Sequence, residues 1–222
     1  MRTRNTSWDL IIFDCDGVLV DSEPIVNRIF AAMLAEIGLP MTCEETIQQF
    51  LGCAQASVVS TIEQRLGQPL PPRFMADFAT RMYAALRSEL QPVPGIVSTL
   101  DRIAAPICVA SSGDRAKIRT SLEVTGLLPR FEGRLFSATE VPRGKPFPDL
   151  FLRAAHRMGV PPHGCAVVED SPIGVTAGVA AGMRVFGYAR LSPPERLAAA
   201  GALVFSDMAA LPDLLQMAAE AR

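Results

Sequence analysis

Short apolar runs closed by turn residues, alternating with helical patterns, restrict this chain to very few architectures. The runs are LIIF (10–13), PICVA (106–110), CAVV (165–168), RVFGY (184–188) and ALVF (202–205), with LFSA (135–138) as a further candidate. Between and after them stand DRAKIRTSLEVTGL, PDLFLRAAHRMGV, PIGVTAGVAAGM and LPDLLQMAAEAR, which carry helical periodicity. Strands that alternate with helices form βαβ units, and such units build a mostly parallel sheet. Gly126 and Gly159 stand where helix C-caps are expected. The pattern predicts an α/β fold with a doubly wound parallel sheet.

Residues 22–91 break this rhythm. EPIVNRIFAAMLAEIGLP, CEETIQQFLG, ASVVSTIEQRLG and PRFMADFATRMYAALRSEL follow one another as amphipathic helices with no strand between them. They predict an all-helical insertion after the first strand. QPVPG (91–95) punctuates the return to the sheet. The expected division is a core of residues 1–21 and 92–222 and a helical domain of residues 22–91.

Several function classes recede on composition. Net charge is −2 with no polybasic run, which speaks against nucleic acid as a partner. Five scattered cysteines (Cys15, Cys43, Cys53, Cys108 and Cys165) lack CxxC spacing, so neither a zinc site nor a disulfide framework is expected. A reduced, cytoplasmic setting fits them. No signal-peptide core and no membrane span is found. Lysine is scarce: Lys117 and Lys145 are the only two, and His156 and His163 are the only histidines.

Ligands of open parallel sheets bind beyond the carboxyl ends of the strands. After the first strand come Asp14 and Asp16, after the second Ser111, Ser112 and Gly113, and after CAVV come Glu169, Asp170 and Ser171. RGKPFPD brings Lys145 just before a helix. Taken singly, each has an ordinary structural explanation. Asp-x-Asp-Gly is a common turn, SSG and EDS suit helix N-caps, and a lysine is usually a solvated surface group. Brought to one sheet edge, four carboxylates repel unless a cation joins them, and oxygen-only ligands favour Mg²⁺. Hydroxyls and N–H groups beside a helix start suit phosphate oxygens, and Lys145 adds a compact positive charge. Together these groups describe phosphoryl transfer through an aspartyl-phosphate.

The motifs DCDGVLVDS, ASSG, GKPFPD and VVEDS, over nearly the whole chain, resemble the haloacid dehalogenase-like superfamily, in particular the helical-cap group that includes phosphoglycolate phosphatase and β-phosphoglucomutase. The resemblance implies a Rossmann-like catalytic core and a helical cap that closes over the site and reads the leaving group. It implies Asp14 as nucleophile and metal ligand, and Asp16 as general acid and base with its backbone carbonyl on the metal. Ser111, Ser112, Gly113 and Lys145 match the phosphate-binding positions, and Glu169 and Asp170 the acidic metal pair. Mg²⁺ is the expected cofactor.

Within that superfamily, Asp16 speaks against the dehalogenases, which lack an aspartate there and use no metal. The absence of lysine and histidine from residues 23–91 speaks against a Schiff-base phosphonatase and weakens a phosphomutase of the β-phosphoglucomutase type. Gly52 and Gln55 in LGCAQAS mark the expected specificity loop. The expected activity is therefore Mg²⁺-dependent hydrolysis of a small phosphomonoester: a sugar, sugar-acid or polyol phosphate. A phosphomutase and a non-catalytic binding protein on the same fold are the alternatives. The expected partner is the small-molecule ester alone, with no membrane, and the chain acts as a monomer or homodimer.

Overall fold

The computed structural model describes residues 8–50 and 55–221. In chain order the elements are β1 (Leu10–Phe13), α1 (Glu23–Glu36), α2 (Cys43–Phe50), α3 (Gln55–Leu66), α4 (Phe74–Glu89) and α5 (Ile96–Arg102). Then follow β2 (Ile107–Ser111), α6 (Arg115–Val124), α7 (Leu128–Phe131), β3 (Leu135–Ser137), α8 (Asp149–Arg157) and β4 (Cys165–Glu169). The chain ends with α9 (Pro172–Ala180), β5 (Arg184–Tyr188), α10 (Pro194–Ala199), β6 (Leu203–Phe205) and α11 (Leu211–Glu220).

Among the described residues, six strands pair in parallel, in the order β3-β2-β1-β4-β5-β6. The predicted α/β, doubly wound sheet is the observed one. β1 and β4 are buried along their whole length, which is why they read as unbroken apolar runs. The order grows outward in one direction from β1 to β3 and in the other from β4 to β6. The β1/β4 seam is therefore the topological switch point.

Two strand ends lie one residue beyond the apolar runs that mark them. β2 reaches Ser111 because Ser111 pairs with Ser137 of β3, and β4 reaches Glu169 because Glu169 pairs with Gly187 of β5. A neighbouring strand decides where pairing stops, and local hydrophobicity does not register it. Trp8 anchors the last helix to the sheet: its indole N–H donates to the Leu215 carbonyl at 2.9 Å, and its ring meets Phe186 edge-on at 6.2 Å.

The chain divides into two compact units. One runs to Val20 and resumes at Pro92, and the other is Asp21–Gln91. The two connecting segments are hydrogen-bonded antiparallel to each other, Val93 N–H to the Leu19 carbonyl and Asp21 N–H to the Gln91 carbonyl. The second unit has a core of its own. Phe30 sits at its centre with ring contacts to Phe50 at 5.9 Å, Phe74 at 6.2 Å and Phe78 at 4.9 Å, and Ile29, Met33, Leu34 and Ile62 fill in around them. Gly52 lies outside the described residues. Gln55 opens α3, and its side chain also lies outside them.

Candidate active site

β1 delivers Asp14 to the switch point. Its N–H donates to the Val168 carbonyl of β4 at 2.9 Å, so the backbone still follows the strand when the side-chain chemistry changes. The chain then turns sharply. Leu19 and Val20 N–H groups both reach the Cys15 carbonyl, and Gly17 takes φ +77°, where a side chain would be strained. A Cβ on Gly17 would also collide with the Asp170 carboxylate, so the turn glycine leaves space for that acid. The neighbouring strand β4 ends in Glu169, and Asp170 follows it; both are buried.

Asp14, Glu169 and Asp170 each offer an oxygen within 4.8 Å of the others. Lys145 enters this group with its side chain buried. Its ammonium lies 2.6 Å from Asp14 Oδ1 and 2.5 Å from Glu169 Oε1. The Phe151 ring lies 5.0 Å from the same nitrogen. When all are ionised, these three carboxylates against one ammonium leave two net negative charges in a buried place, a deficit that one divalent cation cancels. The donors are all oxygen, which suits a hard cation such as Mg²⁺.

Electrostatics mark the same imbalance. Burial pushes the Asp14 carboxyl up to about 7, further than Lys145 draws it down, with Glu169 and Asp16 adding to the rise. For Lys145, burial alone would lower the ammonium. Asp14 and Glu169 outweigh it and hold it above its ordinary value. Between the two aspartates, Cys15 is fully buried. Burial first, and then Asp16 and Asp14, push its thiol well above the ordinary range, which favours the thiol over the nucleophilic thiolate.

Glu169 is held from both sides. Its Oε1 accepts from Lys145, and its Oε2 accepts from the Ser171 N–H at 2.9 Å and the Ser171 hydroxyl at 3.0 Å. The same hydroxyl caps α9 by accepting from Gly174 N–H at 3.1 Å. Gly174 stands where any Cβ would overlap the Glu169 carboxylate. Gly174→Ala should therefore push Glu169 off its partners and destabilise the protein by about 1–3 kcal/mol, the usual range for overpacking. Urea unfolding checks it: an unchanged midpoint would mean that the carboxylate moves aside without cost.

Of the residues singled out in the sequence, Asp14, Glu169 and Asp170 gather, and Lys145 bonds to the first two. Asp16 does not join the three gathered carboxylates. Its Oδ2 pairs with the Lys117 ammonium at 2.7 Å. Ser111, at the end of β2, is buried, and its hydroxyl accepts from Gly113 N–H at 3.1 Å, while Ser112 is exposed. The SSG stretch precedes the helix start rather than forming it. Asp114 is the cap of α6, accepting from Lys117 N–H at 2.8 Å.

Two residues went unassigned by motif reasoning. Ser137, buried at the end of β3, donates to the Gly113 carbonyl at 2.7 Å and so ties the serine–glycine loop to the next strand. No local signal marks it. Lys117 does have one, since it is one of two lysines among 222 residues.

A protein-family model described as haloacid dehalogenase-like hydrolase matches residues 11–188. The chain is 32% identical over 208 residues to 6-phosphogluconate phosphatase of Escherichia coli (strain K12), covering 93% of this chain and 94% of that protein. It superimposes on a conserved haloacid dehalogenase-like protein of unknown function from Agrobacterium tumefaciens with TM-score 0.87 and 36% identity, covering 97% and 100% of the two chains. A family hydrolase from Deinococcus radiodurans, solved with bound phosphate and sodium, gives TM-score 0.81 and 31% identity over 96% and 97% of the two chains.

Proposed function

Since the chain belongs to the haloacid dehalogenase-like hydrolase family and is a phosphoric monoester hydrolase, we propose that it cleaves a small phosphate ester with Mg²⁺ through an aspartyl-phosphate on Asp14. The observation that carries this is the buried group of Asp14, Glu169 and Asp170 at the β1/β4 switch point, with Lys145 bonded to the first two. We assign residues 1–21 and 92–222 as the catalytic core and residues 22–91 as the cap. Gly52 and Gln55 are assigned to substrate selection.

Asp14, Glu169 and Asp170 would hold Mg²⁺, with the Asp16 backbone carbonyl as a further ligand. Bound there, the ion would neutralise the acidic group and polarise a phosphoryl oxygen. The chain's own residues then divide the reaction. An Asp14 carboxylate oxygen attacks phosphorus in line, and the ester P–O bond breaks as Asp16 gives its proton to the departing alkoxide. Lys145 holds the Asp14 carboxylate and faces the charge of the transferring group. Ser111, Ser112 and Gly113 receive the phosphoryl oxygens. In the second step Asp16, now a carboxylate, takes a proton from water while that water attacks phosphorus. The P–O bond to Asp14 breaks, and inorganic phosphate leaves. The substrate class we propose is a sugar, sugar-acid or polyol phosphate, in keeping with the similarity to a 6-phosphogluconate phosphatase.

The cation site has a test that needs no turnover. Without metal, folded Asp14 keeps its proton to about pH 7, whereas the unfolded carboxyl loses it near 3.8. The folded state therefore binds more protons between those values, and metal-free stability falls as pH rises through that window. Mg²⁺ needs the carboxylate and displaces the proton, so its stabilisation grows over the same window. At a hundred times its dissociation constant, a ligand adds about 2.7 kcal/mol, several degrees for a chain of this size. Thermal unfolding should show Mg²⁺ raising Tm by several degrees at pH 8 and clearly less at pH 5. Equal shifts at both pH values would mean that the ion binds elsewhere.

A phosphate-release screen over sugar, sugar-acid and polyol phosphates with Mg²⁺ tests the activity. The expected result is release from at least one ester class.

A further inference from the structure

Lys117 occupies a position that ordinary helix chemistry disfavours. It lies in the first turn of α6, where the positive end of the helix dipole opposes a cation. Its backbone N–H is accepted by the cap Asp114, and its ammonium reaches out of the helix to Asp16 Oδ2 at 2.7 Å. Both side chains are mostly shielded, at 16% and 17% exposure. The aliphatic stem passes beside Gly113, where an added Cβ would stand 3.4 Å from Lys117 Cδ, an ordinary packing distance, so the stem lies against the serine–glycine loop. Elsewhere the chain uses arginine as its cation, nineteen times against two lysines. Both lysines stand on the Asp-x-Asp pair: Lys145 on Asp14 and Lys117 on Asp16.

From this geometry we infer that Lys117 is a positioning residue for Asp16, fixing the plane of the carboxylate that exchanges protons with the ester oxygen. The inference rests on the phosphatase assignment made above. The backbone at Asp16 is set by the turn that closes on Val20. The backbone leaves the side-chain torsions open, and the terminal carboxylate torsion is intrinsically broad. Lys117 removes that freedom by donating to Oδ2, which leaves Oδ1 to carry the proton that Asp16 gives and takes. An ammonium also does this with a single compact charge, where a guanidinium fork would demand more room. Lys117 itself makes and breaks no bond. It sets the direction from which Asp16 gives its proton to the leaving alkoxide and later takes one from water.

The test separates substrates by their need for that proton. An alkyl alkoxide is a poor leaving group and must be protonated. The phenolate of p-nitrophenyl phosphate departs without help. Lys117→Met should lower kcat/KM by about 100-fold on the alkyl ester that wild type cleaves fastest, the lower end of what a positioned proton donor contributes. The loss on p-nitrophenyl phosphate should be at least tenfold smaller, with the alkyl loss residing in kcat rather than KM. Lys117→Arg should recover part of the alkyl loss by restoring the charge. The Mg²⁺-induced rise in Tm should survive in each variant, and Lys117→Gln replaces the methionine variant if that one fails to fold. Equal losses on the two esters, or a loss confined to KM, would overturn the positioning role and leave the phosphatase assignment standing. A wild-type protein that cleaves neither ester would remove both.

Discussion

Asp14→Asn is expected to lower turnover by about four orders of magnitude or more while leaving the fold unchanged. An amide cannot attack phosphorus, and it offers the cation a neutral oxygen where the carboxylate offered a charge, so covalent catalysis and part of the ion's affinity are lost together. The fold should persist because the Asp14 backbone carries the link to β4, through its N–H to Val168. Stability in the absence of metal should even rise slightly, since a buried carboxyl that burial drives up to about 7 is replaced by a group that never ionises. Steady-state kinetics with a saturating ester and Mg²⁺, beside urea unfolding, separates the two effects. A variant that kept a tenth of wild-type activity would remove Asp14 from the nucleophile's role.

Lys145→Met is expected to damage stability and activity together. The lysine side chain is buried and its ammonium bonds to two carboxylates, so its removal strands Asp14 and Glu169 without their cation. Breaking a buried pair from one side typically costs 3–5 kcal/mol. The loss should sit near the lower end of that range, about 3 kcal/mol, because Asp14 can take up a proton instead. It should be largest in metal-free protein at pH 8. It should shrink as pH falls from 8 through 7, because wild-type Asp14 takes up its proton near 7 and without Lys145 takes it up at still higher pH, and shrink again when Mg²⁺ is added. Turnover should fall by about a thousandfold even with Mg²⁺ present, since the ammonium also faces the transferring group. Urea midpoints that match wild type in chelator at pH 8 would show that the buried charges are balanced some other way.

Much of the fold was legible because its central strands β1 and β4 are buried on both faces and so appear as unbroken apolar runs, too short for typical helices. LIIF and RVFGY gave β1 and β5 to the residue. The ends of β2 and β4 were not legible, because Ser111 and Glu169 are polar residues that join the sheet only through their neighbours Ser137 and Gly187. The gathering of Asp14, Glu169, Asp170 and Lys145 followed from placing each at a strand end or loop of a parallel sheet. What Asp16 does with its side chain did not follow. Lys117 reaches it from the first turn of a helix, where no motif places a functional cation, and the only hint was the scarcity of lysine. The glycines at 17 and 174 read as turn and helix residues in the sequence. Their use as space for two carboxylates exists only in three dimensions.

The central claim is that the buried acidic group hydrolyses a phosphate ester and does so only with a divalent cation. Phosphorus NMR of the wild-type protein with Mg²⁺ and the most rapidly cleaved ester of the panel tests it most directly. The ester signal should be replaced one for one by inorganic phosphate, with no bisphosphate primer needed, and excess EDTA should stop the conversion. Phosphate that migrates between carbons while free phosphate stays flat, or hydrolysis that continues at full rate in EDTA, would contradict it.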